Sequence, residues 1–215
     1  MRSIILHIET EPLPVSELLL DAPEFRAASN IKDPAKIIED IEKKKQKYIA
    51  EAQFNEAAAK ICAMAFTDYE SGVQQVASIY GGDFPDIKTE EDLLKFAKEK
   101  IQFAIETVTF RGTKFVYPFI ARRAAVYGLN LFQRLYCDYH PGKLLEEKHR
   151  DLAKIWACGG LSHPETLKEV ASVLKIHTAL SNVPYYQMVK SNVEEANTFL
   201  LNTLDVIEEI HERLR

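Results

Sequence analysis

The stretch that most limits what this chain can fold into sits at its start. Residues Ser3 to Ile8 read SIILHI, an apolar, β-branched run followed by Glu9, Thr10 and Glu11 and then by two prolines, Pro12 and Pro14. The run is too short for a core helix and has proline punctuation behind it. It predicts a buried strand that opens a sheet.

Helix and strand signals then alternate. Asp33 before Pro34 is an N-cap residue followed by proline at the first helical position, and Ile37, Ile41, Tyr48 and Ala52 keep helical spacing. The run Lys43-Lys44-Lys45-Gln46-Lys47 lies on that helix beside Glu39, Asp40 and Glu42, and reads as a solvated, ion-paired face. Between Lys60 and Tyr80 two β-rich runs flank Asp68, Glu70, Ser71 and Gly72, a hairpin pattern. Thr89 and Asp92 open a helix that turns Leu93, Leu94, Ala97, Ile101 and Ala104 inward. Ile105 to Phe110 predicts a further strand closed by Arg111-Gly112, followed by a helix from Pro118 to about Tyr127 that stops at Gly128. Thr166 to Ile176 reads as a short helix. The last helix is long and repeats Val193, Ala196, Leu200, Leu204, Ile207 and Leu214 at three- and four-residue steps. This order indicates an α/β fold, a mixed β-sheet flanked by helices, in a single domain over 1–215.

Composition narrows the function classes. With 27 Lys+Arg against 32 Asp+Glu the net charge is −5, which excludes a generally basic nucleic-acid coat and leaves room for a local basic groove. Cys62, Cys137 and Cys158 form no CxxC pair, so neither a disulfide framework nor a structural zinc site is indicated. No apolar run approaches the roughly 20 residues that span a bilayer, and the start has no signal-peptide cleavage pattern. The expectation is a cytoplasmic protein without a membrane partner.

Several segments carry a resemblance. The opening IILHIETEPLP, the stretch PEFRAASNIKDPAKIIEDIEKKKQKYIAEA with KICAMAF, the segment FRGTKFVYPFIARRAAVYGL, the pair RDLAKIWACGG and TLKEVASVLKI, and the closing LLNTLDVIEEIHERL follow one another in a familiar order. Together they resemble the 3′–5′ exonucleases with a ribonuclease-H-like fold, in particular the stand-alone group related to the proofreading domain of family B DNA polymerases. Members hold two divalent cations about 3.5–4 Å apart, which activate a water and stabilise the leaving oxygen. Hard Mg²⁺ or Mn²⁺ ions want oxygen ligands, so active members gather four carboxylates.

Carried over residue by residue, the resemblance puts the first-motif Asp on His7 and its Glu on Glu9. The second-motif Asp falls on Val116, behind a shortened loop at Thr113-Lys114. The third-motif Tyr falls on Leu201 and its Asp on Asp205. It thus implies a catalytic set of His7, Glu9 and Asp205, metal ligands Glu9 and Asp205, and nucleic-acid contacts at Thr10, Lys114, Arg122 and Arg123. Glu9 and Asp205 should lie within reach of a shared cation at the C-terminal end of the first strand. Two carboxylates against two divalent ions leave the centre half-neutralised, and Val116 offers no ligand atom. A degenerate exonuclease follows, with its two-metal chemistry impaired and a binding role kept toward a single-stranded DNA or RNA 3′ end or toward a protein partner. The alternatives are an active site rebuilt around His7, Glu9 and Asp205 with one divalent cation (Mn or Mg), and a purely structural or interaction protein.

Plainer readings stand beside these. His7 and Glu9 also read as a hydrogen-bonded pair at a strand end, and Arg122 and Arg123 as partners of nearby acids, the acid-rich last helix among them. The aromatics Tyr127, Phe132, Tyr136, Tyr139, Tyr185 and Tyr186 serve either base stacking or packing. Cys62 reads as a buried, inert thiol and Trp156 as a core anchor.

Overall fold

The computed structural model describes residues 2–20, 22–130, 136–137, 140–144, 148–158 and 166–215. Phe132, Tyr139 and the side chain of Tyr136 lie outside the described residues. The chain divides into two compact units, one of residues 1–9 with 61–215 and one of residues 10–60.

The larger unit is built on a five-stranded sheet. Its strands are β1 (Arg2–Pro12), β2 (Ala59–Asp68), β3 (Val73–Ser78), β4 (Ala104–Thr109) and β7 (His149–Asp151), in the order β3-β2-β1-β4-β7. The opening strand signal is borne out and runs on through the acidic cluster as far as Pro12. β2 and β3 form the expected antiparallel hairpin, with Gly72 in the turn at φ 66°, a left-handed conformation that glycine adopts without penalty. β4 runs parallel to β1, Ile4 opposite Thr107 and Ile5 opposite Val108, and β7 runs parallel to β4. The sheet is therefore mixed, and parallel pairing requires a crossover between β1 and β4. A short antiparallel ribbon, β5 (Tyr136–Cys137) with β6 (His140–Leu144), precedes β7.

Helices cover both faces. The helix between the hairpin and β4 spans Glu90–Phe103 and begins with the predicted capping box, Thr89 and Asp92 each accepting from the other's backbone. It buries Leu93, Leu94, Ala97 and Ile101 and packs beside the helix Tyr117–Val126, which carries Pro118 in its first turn and ends before Gly128. On the other face the long last helix, Val193–Arg213, is capped by Asn192 and buries Leu200, Leu204, Ile207 and Ile210 against Ile5, Ala65, Val76 and Val108. Its period-3.6 apolar stripe is what holds it to the sheet. Cys62 is fully buried and Trp156 packs partly buried against this core. The outer edge of β3 is closed locally: Asp83 N–H donates to Val76 O at 2.9 Å, and Val76 N–H donates to Asp83 Oδ2 at 2.7 Å.

The smaller unit holds a short helix, Val15–Leu18, and the helix Pro34–Glu51, with Asp33 accepting from Ala35 N–H as its cap. None of the residues of Pro34–Glu51 is buried. Its lysine run is a solvated face, with Lys44 paired to Asp40 and Lys47 to Glu51 one turn away. The core of this unit is Leu18, Ala52 and Ala58, with Leu13 and Tyr48 against them. Among the described residues no helix is long and apolar enough to cross a membrane.

Candidate functional site

The C-terminal end of β1 brings His7 and Glu9 to the sheet face that the last helix covers, because they share the alternation of Ile5. The imidazole Nε2 lies 3.0 Å from Glu9 Oε1, and the two side chains are 21% and 19% exposed. The hydrogen-bonded pair is thus present, through one nitrogen of His7 and one oxygen of Glu9.

Asp205 is elsewhere. The Cys62 thiol points at Glu9 O, whereas the Asp205 carboxylate accepts from the Gln74 side-chain amide, and Gln74 is the cross-strand partner of Thr67. Cys62 and Thr67 are five residues apart on β2, roughly 16 Å at about 3.3 Å per residue. Tyr69 N–H donates to Ser3 O, so the hairpin tip lies beside the start of β1, and Asp205 faces that end. The expected convergence of Glu9 and Asp205 on one cation does not form.

The last helix runs with its first turns toward the Glu9 end. Ser78 pairs with Ala63, the neighbour of Cys62, and the Tyr185 hydroxyl lies 2.8 Å from both Ser78 Oγ and Asn197 Oδ1. Asn197 Nδ2 in turn donates to Gly81 O at 3.0 Å. Asn197, eight residues and roughly 12 Å of helix before Asp205, therefore occupies the level that Asp205 was expected to hold. Tyr185 is fully buried, and burial above all pushes its phenol well over the ordinary tyrosine range, opposed by the Ser78 bond and reinforced by Cys62 and Glu9. It stays protonated and acts as a strut between β3 and the helix. Ser78 and Asn197 escaped the sequence reading; the likeness of LLNTLD to a third motif says nothing about which helical turn meets the end of the sheet.

β4 ends at the same end of the sheet as β1. There Arg111 adopts φ 59° and the chain winds into a single π-turn, Gly112–Val116, that runs into the helix Tyr117–Val126. Val116 is 2% exposed and points into the core, while Lys114 is exposed on the turn. Asp151 pins the turn, its Oδ2 accepting from Thr113 N–H at 2.8 Å and its Oδ1 from Ala153 N–H at 3.1 Å.

The other expected nucleic-acid contacts divide. Arg122 is exposed. Arg123 is 8% exposed, and its guanidinium forks onto Glu90, Nε to Oε1 at 2.9 Å and an Nη to Oε2 at 2.6 Å. Its acid partner lies on the helix Glu90–Phe103 and not on the acidic last helix. Thr10, in the smaller unit, is buried and spends its hydroxyl on Gln53 O. Neither Thr10 nor Arg123 presents a free polar group to a phosphate.

A two-cation centre does not fit these residues. Glu9 is bonded to His7 through one of its oxygens, Glu11 in the smaller unit is paired with Lys60, Asn197 is a neutral amide, and Val116 has no donor atom. Among the described residues no group of three or more His, Cys, Asp and Glu side chains is placed to hold a metal ion. A cleft of about 630 Å³ opens at the opposite end of the sheet, lined by Ile4, Phe66, Val73, Lys100 and Phe103, and does not include His7 or Glu9.

The architecture has a known counterpart. Over its full length the chain is similar to the family B DNA polymerase from the hyperthermophilic archaeon Pyrobaculum calidifontis, with a TM-score of 0.54, 13% identity and coverage of 100% of this chain. The fold is ribonuclease-H-like. The chain spans 24% of that polymerase's length, so the likeness concerns architecture alone. No family model matches the chain, and no curated protein matches it.

Proposed function

We propose that this ribonuclease-H-like chain is a degenerate relative of the 3′–5′ exonucleases that binds a single-stranded DNA or RNA end without two-metal hydrolysis. The observation that carries the reading is what stands at the expected metal positions: Glu9 tied to His7 at 3.0 Å, buried Val116, and Asn197 at the level where Asp205 was expected. Such a site has too little negative charge to offset a pair of divalent ions, but it leaves the Lys114 turn facing solvent at the same end of the sheet. Binding would rest on backbone phosphates and be salt-dependent.

The test combines binding and turnover on labelled single-stranded DNA and RNA. The expected result is binding that is indifferent to chelator, weakens with added salt and weakens further in Lys114→Glu, with no nucleotide release approaching about 1 per second. Release from the 3′ end that appears only with Mn²⁺ would overturn the reading in favour of a rebuilt catalytic site. Failure to bind either nucleic acid, with the fold intact, would leave a protein-interaction role in its place.

A further inference from the structure

We propose that the turn carrying Lys114 is an acid-released latch, held shut by a neutral His149 packed beneath it. The inference rests on the nucleic-acid-binding reading for its consequence, but the latch itself stands on geometry. The turn is wound in a way that needs outside support: Arg111 is in the left-handed region and the following five residues form a lone π-turn. The support is a polar cluster in which Thr107, Thr109, Tyr117 and Asp151 are buried and His149 is half-buried.

His149 Nε2 lies 2.8 Å from Thr109 Oγ1, and its ring meets the Tyr117 ring edge-on with centroids 4.5 Å apart. Tyr117 hydroxyl and Thr107 hydroxyl share a short hydrogen bond, and Thr107 also reaches Lys148 O. Gly112 passes so close that a Cβ there would overlap both Thr109 Oγ1 and His149 Nε2. His149 as a whole is half-buried, but its Nε2 is enclosed between Thr109 and Gly112. The groups around the ring are uncharged Thr107 and Thr109 on β4, the Tyr117 phenol on its helix, Asp151 on β7 and Lys154 on the helix after it. Arg150 turns instead toward Glu106, 3.9 Å away. At the mouth of the turn stand Arg111 and exposed Lys114.

Burial is the largest influence and pushes His149 down to about 4; Asp151 opposes it and Lys154 adds to it. A histidine released to solvent titrates near 6.5. The open form therefore binds a proton that the closed form refuses, so the closed form is fully favoured above about pH 6.5 and loses ground as pH falls toward 4. Opening should rise about tenfold between pH 7.5 and 5.5. Acid would thus loosen the turn, against the general trend in which added positive charge strengthens phosphate binding.

Hydrogen exchange reads the latch directly at Thr113, Phe115, Val116 and Tyr117, whose N–H groups are bonded to Asp151, Arg111, Arg111 and Gly112 in the closed turn. After correction for intrinsic exchange, protection at these amides should fall about tenfold from pH 7.5 to 5.5, and His149→Gln should abolish the dependence. His211, on the last helix, is also held at about 4, mainly by burial. His211→Gln should leave the dependence at the turn unchanged, and it serves as the second variant if His149→Gln does not fold. Protection that ignores pH in the parent, or that loses its pH dependence in His211→Gln, would overturn the latch.

The second arm is binding of a labelled single-stranded oligothymidylate over the same range. The parent should weaken in acid while His149→Gln does not. Affinity that rises with acid in both would overturn the regulatory role. No binding at pH 7.5 would instead defeat the functional reading, with the exchange data still deciding the latch.

Discussion

Arg123→Met is expected to destabilise the protein by roughly 3–5 kcal/mol, the cost of stranding a buried charge. Glu90 is 4% exposed, and both its oxygens are committed: Oε1 accepts from Ile61 N–H at 2.7 Å and from Arg123, Oε2 from Arg123 and from the Tyr127 hydroxyl at 3.0 Å. Removing the guanidinium leaves a buried carboxylate with only two neutral donors, Ile61 N–H and the Tyr127 hydroxyl, to hold it. The lower half of the range is the better expectation, since those two bonds survive. Urea unfolding of parent and variant measures it, with a midpoint shift of about 1 M or more at ordinary slopes. A variant with the parent's midpoint but weakened oligonucleotide binding would put Arg123 back among the phosphate contacts.

Gly112→Ala should cost about 3 kcal/mol, near the top of what overpacking a filled core costs. Its new methyl would also stand 2.6 Å from His149 Cε1, between two side chains that the sheet and the Tyr117 helix hold in place. The expected drop in melting temperature is about 6–12 °C for a chain of this size. Gly72→Ala is the comparison. Gly72 sits at φ 66° with nothing within 4 Å of the added carbon, so it pays only for backbone conformation, about 1–2 kcal/mol. Equal shifts for the two would mean that the turn yields and that close packing at Gly112 is not what fixes it.

Local signals carried most of the fold. Asp33-Pro34, Thr89 with Asp92, and the Asp68–Gly72 turn act within four or five residues, and each ends or begins an element where the sequence placed it. The π-turn was not legible, because its causes are distant: Asp151 and His149 lie about 40 residues beyond it. Arg123 was legible as a basic residue beside a helix stop, but its partner, 33 residues earlier, depends on how two helices pack. The misplacement of Asp205 has the same origin. An amphipathic helix shows which face is buried, yet sliding it by two turns preserves that face almost unchanged. Asn197 and Asp205 are a little over two turns apart, and each directly follows a residue of the apolar stripe, Ala196 or Leu204, so the pattern does not distinguish them.

The pair of bonds between Asp83 and Val76 has a consequence for how this chain behaves in company. An edge strand with unpaired N–H and C=O groups is a template on which another chain can extend the sheet. Here one short loop turns back and consumes both outward groups of Val76, so an incoming strand would first have to dislodge the Asp83 carboxylate and peptide from them. The hairpin therefore carries its own stopper, made from a single aspartate, against fibre-like growth from that side.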